Sequence, residues 1–179
     1  MPNRLSDESY RIEALSAAHD RGAFSCGNEQ LDRYFKAMAS QDARRGIAAV
    51  RVLVEAKAPQ TVIGFYTLSA SSVPLGDFPD PVRKRLPKYP TVPVALLGRL
   101  ATDTRFRGEH LGANLLVDAL VRTCEVSEQV MGVHAIIVDA KAEEVVPFYL
   151  RFGFMRFRDS SIRLFLPIRT ARNALRDLR

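Results

Sequence analysis

The stretch from Val94 to Val138 constrains the fold more than any other part of the chain. Val94 to Ala101 reads as a strongly apolar strand, the residues from about Gly108 to Val130 as a long helix, and Val133 to Val138 as a second apolar strand, continuous from Ala135 onward. Within the helix, Leu111, Leu115 and Ala119 run beside Leu116, Leu120 and Cys124 as one apolar stripe. A strand, a crossover helix and a strand imply a parallel pair with a right-handed connection. A strand this apolar, interrupted by His134 alone, suits a site covered on both faces. Gly132 is expected to end the helix as its C′ residue.

The flanking segments carry antiparallel signals. Tyr10 to Leu15 is a candidate first strand. From Asn28, a plausible N-cap, Leu31, Tyr34, Phe35 and Met38 follow the i, i+3, i+4, i+7 spacing of a helix that Gly46 would stop. Ala48 to Ala56 and Thr61 to Ala70 form a hairpin about Lys57 to Gln60. Residues 73 to 93 are broken up by Pro74, Pro79, Pro81, Pro87, Pro90 and Pro93 and form an excursion with room for one helical turn. After a helix from about Glu143 to Arg151, Phe154 to Arg158 and Ile162 to Leu166 pair as a final hairpin. The fold class is therefore α/β with a mixed sheet, a central parallel pair flanked by antiparallel hairpins. Residues 1–168 are expected to form one domain. Residues 169–179 are a basic tail in which Arg169, Arg172, Arg176 and Arg179 recur at helical spacing.

Composition narrows the function. A chain of 179 residues that is 47% apolar and 26% charged has the material for a packed core. It contains no apolar run long enough for a membrane span, and Met1 to Tyr10 lack the apolar stretch of a signal peptide. Cys26 and Cys124 lie far apart, which fits a reduced cytoplasmic setting rather than a disulfide scaffold. His19, His110 and His134 are scattered without metal-ligand spacing, so no metal is expected. The net charge of +6, carried mostly by arginine, permits an anionic partner.

The chemistry is concentrated where the first apolar strand meets the long helix, at Leu100, Ala101 and Thr102 and then Arg107-Gly108-Glu109-His110-Leu111-Gly112-Ala113. The first amides of a helix have no internal acceptor and carry the positive end of its dipole. A pyrophosphate can sit there if no side chain obstructs it; Gly108 and Gly112 keep the approach open, and Arg107 adds charge. The same two glycines would also suit a strand-to-helix turn that needs them for conformation alone.

This segment resembles the acyl-CoA pyrophosphate loop of the GNAT N-acetyltransferases: Arg or Gln, two residues, Gly, one residue, then Gly or Ala. His110 stands at the first glycine. Pro147-Phe148-Tyr149-Leu150-Arg151-Phe152-Gly153-Phe154 resembles the family's FY-x-x-x-G-F signature. Phe24 to Asp32 with Gln41-Asp42, Gly64 to Ala70, Leu97 to Ala101 and Val138 to Lys141 are similar to the GNAT toxins of bacterial toxin–antitoxin modules. That resemblance implies a toxin that transfers acetyl from acetyl-CoA to the α-amine of the amino acid on charged tRNA and so blocks translation. It also implies a ribbon-helix-helix antitoxin that supplies the contact with DNA, and a homodimer.

An amine that attacks a thioester needs a donor for the developing oxyanion, and backbone amides near Leu100 to Thr102 are placed to serve. The departing thiolate needs a proton. The family motif assigns that role to Tyr149, which composition alone would read as core beside Phe148 and Phe152. No general base stands out; water or the free amine can serve. Lys141 is a candidate at the adenosine end of the cofactor, or simply a solvated lysine. His110 either contacts a phosphate when protonated or covers the turn. Arg44, Arg45, Arg83, Lys84, Arg85, Lys88 and Arg99 are the candidate contacts to tRNA phosphates, though charge runs often just face solvent. Two other readings stay open: a housekeeping acetyltransferase for a small amine or a protein N-terminus, and a catalytically silent GNAT module that binds or senses a ligand.

Overall fold

The computed structural model describes residues 9–177. Strands β1 (Tyr10–Ala14), β2 (Ala49–Glu55), β3 (Ala58–Pro74), β4 (Thr91–Thr102), β5 (Ala135–Asp139), β6 (Met155–Arg156) and β7 (Arg163–Pro167) form a seven-stranded sheet in the order β1-β2-β3-β4-β5-β7-β6. Helices α1 (Glu29–Ala37) and α2 (Ala39–Arg44) precede β2. Helix α3 (Asp80–Arg83) lies in the proline-rich excursion, α4 (Leu111–Gln129) connects β4 to β5, α5 (Val146–Leu150) precedes β6, and α6 (Ile168–Arg176) follows β7. Arg179, the last of the tail arginines, is outside the described residues. Among those described, no helix is long and apolar enough to cross a membrane.

The chain divides into two compact units, Met1–Ser69 with Gly98–Ala119 and Ala70–Leu97 with Leu120–Arg179. In the first, β1 pairs antiparallel with β2, and β2 with β3, where Val52 faces Phe65 and Ala49 faces Leu68. The Asn28 side chain caps α1 by accepting from the Leu31 amide at 3.1 Å. The single helix expected from Asn28 to Gly46 is divided at Met38, which ends α1 and precedes α2 with φ widened to −112°. The break buries Ala39 and brings the Asp42 carboxylate within 2.9 Å of the Tyr34 hydroxyl. Phe24, Phe35 and Phe65 form the centre of this unit's core, with Phe35 stacked on Phe65 at 4.3 Å between ring centroids. Gly64 marks the closest packing of β3. A Cβ there would stand 2.9 Å from Leu115 Cδ1 and 3.1 Å from the Ala101 carbonyl, so only glycine lets α4 lie this near the strand.

In the second unit, β4 and β5 are parallel, with Val94 opposite Ala135 and Leu97 opposite Val138. β7 pairs antiparallel with both β5 and β6. Phe78, Phe157 and Phe165 form its aromatic centre, with Phe78 at 5.0 Å from Phe165 and 5.1 Å from Phe157. Phe78 belongs to the excursion and ties it to the core, with Leu75, Val82 and Leu86 packed beside it. β3 begins at Ala58 and continues to Pro74, so the hairpin turn is tighter and the strand longer than the spacing predicts. The strand persists because Val73 is buried, and it stops where proline removes the amide. Gly132 does not adopt the left-handed conformation expected of it. The helix ends instead where the Val130 and Met131 amides both donate to the Val126 carbonyl at 3.0 Å.

Candidate active site

In the first unit, β4 runs out at Thr102 into a turn held from beneath by one carboxylate. Asp103 is 1% exposed. It accepts from the Ser25 amide at 3.1 Å, from the Arg105 amide at 2.9 Å, and from the Arg105 guanidinium through Nε and Nη2, each at 2.9 Å. Burial by itself would raise this carboxyl's pKa. The Arg105 side chain, with the Arg105 and Ser25 amides, outweighs burial and holds it below the ordinary carboxylate value. The Asp103 amide donates to the Ile63 carbonyl, and the Thr104 amide to the Ser25 carbonyl, both at 2.9 Å. The path into the turn is thus pinned to β3 and to the segment ahead of α1. Asp103 is not among the residues the sequence singles out. Its signal was local: an aspartate directly after an apolar strand, with an arginine two residues later.

The turn proper is shaped by two left-handed residues. Gly108 has φ +84°, and nothing stands within 4 Å of where its Cβ would be. His110 has φ +56°, the one non-glycine residue with positive φ among those described. That conformation explains why the family pattern places glycine there. Histidine retains the same backbone at a cost of about 1 kcal/mol, and its side chain is exposed. On the far side, the Glu109 carboxylate accepts from the Tyr10 hydroxyl at 2.6 Å. The His110 carbonyl takes the Ala113 and Asn114 amides at 3.0 and 3.3 Å. The amides ahead of them, Leu111 and Gly112, open α4 without an acceptor inside the helix. Leu111 is buried, Gly112 and Ala113 are half-buried, and Arg107 is exposed. At the end of β4, Ala101 is buried while Leu100 and Thr102 are half-buried.

Arg99 also belongs to this unit. Its guanidinium carbon lies 3.4 Å from the centre of the Tyr34 ring. The Tyr34 hydroxyl donates to Asp42 at 2.9 Å. Burial, reinforced by Asp42, pushes the Tyr34 phenol up to about 12. Asp42, Tyr34 and Arg99 form a chain that orients one half-buried cation. Sequence spacing identified Arg99 as a candidate and read Tyr34 as core; it could not pair them. Arg44 and Arg45 are exposed at the end of α2.

The remaining candidates lie in the second unit. Tyr149, on α5, is 7% exposed, with its ring against Phe148 at 5.1 Å and Phe154 at 5.5 Å. Burial pushes its phenol up to about 12, so the hydroxyl keeps its proton throughout the neutral range. Lys141 is exposed just beyond β5. Arg83 forms an ion pair with Asp80 at 2.8 Å, which removes one cation from the expected basic group. Lys84, Arg85 and Lys88 are exposed. Cys124 is buried, as the apolar stripe predicts. Among the described residues no cluster of three or more metal-ligating side chains occurs.

No protein-family model matches the chain. A tRNA-acetylating toxin from Mycobacterium tuberculosis is 35% identical over 163 residues, which is 91% of this chain and 95% of that protein. The structure of AtaT complexed with acetyl-methionyl-tRNAfMet is similar with a TM-score of 0.85 at 28% identity, covering 93% of this chain and 99% of that one. A tyrosine-to-phenylalanine mutant of AtaT, bound to the C-terminus of the antitoxin AtaR and acetyl-CoA, matches with a TM-score of 0.79 at 26% identity over 93% and 98% of the two chains. The mixed sheet with its parallel β4–β5 pair, the glycine-bearing turn at the mouth of α4 and this similarity over nearly the whole length lead to one conclusion: the chain belongs to the GNAT N-acetyltransferases, within the tRNA-acetylating toxins.

Proposed function

We propose that this protein is the toxin of a toxin–antitoxin pair and moves an acetyl group from acetyl-CoA to the α-amine of the amino acid on charged tRNA. The observation that carries the reading is the turn at residues 107–112. There the Asp103 anchor, a left-handed Gly108 and a left-handed His110 open the first amides of α4 beside Arg107. Those amides and Arg107 suit a diphosphate, and the GNAT pattern they follow is that of a coenzyme A binder. Bound acetyl-CoA supplies an activated thioester.

The residues then divide the work. Amides of Leu100 to Thr102 stabilise the oxyanion that develops as the amine's nitrogen bonds to the thioester carbon. As the carbon–sulfur bond breaks, Tyr149 gives its hydroxyl proton to the departing sulfur, and its raised pKa keeps that proton available. The attacking amine releases its own proton to water. Lys141 meets the adenosine end, and Glu109, Leu111 and Ala113 complete the diphosphate cradle. Arg99, held on Tyr34, joins Arg44, Arg45, Lys84, Arg85 and Lys88 as a contact to tRNA phosphates, while Arg83 supports the local structure through Asp80. Residues 1–168 act as one GNAT domain. α6 presents Arg169 and Arg176 to an acidic segment of the antitoxin, while Arg172 is held by Glu128 and Ser127. A ribbon-helix-helix antitoxin supplies the DNA contact, and the toxin works in the cytoplasm as a homodimer.

The test is incubation with labelled acetyl-CoA and total charged tRNA, followed by identification of the labelled product. Acetylated aminoacyl-tRNA is the expected result. Label appearing only on free amines or protein N-termini, or on nothing, would overturn the reading.

A further inference from the structure

Tyr89 is 69% exposed, whereas every other phenylalanine and tyrosine among the described residues is buried or half-buried. An aromatic ring left this open costs apolar surface and makes no hydrogen bond or ring contact among those residues. Its setting is basic. Lys84, Arg85 and Lys88 precede it, all exposed and without an ion pair among the described residues, and no acidic residue lies between Lys84 and Pro90. The loop is nonetheless held in place. The Arg85 amide donates to the Val82 carbonyl at 3.0 Å, and the Leu75 amide to the Pro90 carbonyl at 3.0 Å. Val82 and Leu86 pack against the core around Phe78, and Pro87 and Pro90 restrict the backbone on either side of the ring.

An anchored loop that displays one open aromatic among unpaired cations has the two elements that single-stranded nucleic acid requires: charge for phosphates and a flat face for a base. A protein groove or a lipid surface would need a wider apolar patch than one ring. We propose that Tyr89 stacks on an unpaired base at the 3′ end of the acceptor tRNA, with Lys84, Arg85 and Lys88 on the adjoining phosphates. This rests on the tRNA reading above and extends it, because it separates base contact from phosphate contact within one loop.

The experiment is binding of charged tRNA to the full chain by fluorescence anisotropy across a salt series. Three variants are compared with the parent: Tyr89→Ala, Tyr89→Phe and Lys88→Ala. Tyr89→Ala is expected to weaken binding about tenfold at each salt concentration without changing the log–log slope, because stacking releases no counterions. Tyr89→Phe keeps parental affinity. Lys88→Ala lowers the slope by about 0.7 to 0.9. On tRNA trimmed of its unpaired 3′ nucleotides, Tyr89→Ala and the parent are expected to bind equally. Parental affinity for Tyr89→Ala on intact tRNA, or an equal deficit on trimmed tRNA, overturns this proposal and leaves the tRNA reading standing. Absence of salt-dependent binding by the parent overturns both.

Discussion

Replacing Asp103 by alanine removes the carboxylate beneath the turn into α4, and the structure allows its cost to be built up contact by contact. The guanidinium of Arg105 is half exposed, so its two bonds are replaced by water and account for little. The Ser25 and Arg105 amides are different. Both donate to a carboxylate that is almost fully buried, and bonds of that kind contribute about 1.5–3 kcal/mol each when the partner is charged. Water can reach the partly buried amide of Ser25 in the variant, which lowers the sum. Asp103→Ala should therefore lose about 2–4 kcal/mol of folding stability, measured by urea unfolding at pH 7 with an unchanged slope. The sign of the pH dependence follows from the depressed pKa. Asp103 stabilises the fold above the unfolded value of about 4, and that contribution disappears as pH falls through the lower, folded value. The gap between parent and variant should be constant from pH 5 to 8 and shrink below about pH 4. A loss under about 0.5 kcal/mol at pH 7, or a gap that widens with acid, would refute the account of the anchor. The turn should loosen as well, so calorimetric affinity for acetyl-CoA is expected to fall about tenfold, equivalent to about 1.4 kcal/mol.

Two further outcomes follow from the site. Tyr149→Phe keeps both ring contacts and removes a hydroxyl that has no hydrogen-bond partner among the described residues, so its unfolding curve should match the parent's while acetyl transfer falls by about 10²–10⁴. Turnover within about threefold of the parent would exclude Tyr149 as the acid. Because its phenol is raised to about 12, the parent should show no alkaline fall in rate below pH 10 that vanishes in this variant. Gly112→Glu places a carboxylate in the opening turn of α4, where it opposes a diphosphate by charge and bulk. Calorimetry should show acetyl-CoA binding weakened at least tenfold, equivalent to about 1.4 kcal/mol, and unchanged affinity would remove the diphosphate from that turn.

Much of the architecture was legible because it depends on short-range rules. The apolar stripe from Leu111 to Cys124 and the continuous apolar run of β5 report burial directly, and both are buried. The Asn28 cap acts within one turn, so it too was readable. The misses share a cause. The break at Met38 serves the contact of Tyr34 with Asp42, and the extension of β3 serves the burial of Val73; neither benefit is visible in a local window. Gly132 matched a helix-end pattern that the chain satisfied instead with two amides on one carbonyl.

For the site, the order of residues from Leu100 to Ala113 was enough to locate a glycine-bearing turn at a helix mouth, since a strand, a turn and a helix dipole are consecutive along the chain. It was not enough to show that His110 adopts glycine's conformation, that Asp103 anchors the turn through Ser25, or that Arg99 is held on Tyr34. Nor could spacing distinguish Tyr89, which stands in solvent, from the aromatics that fill the two cores. Those relations join segments remote in sequence, and only packing brings such groups within a few ångströms, where hydrogen bonds, ring stacking and burial act.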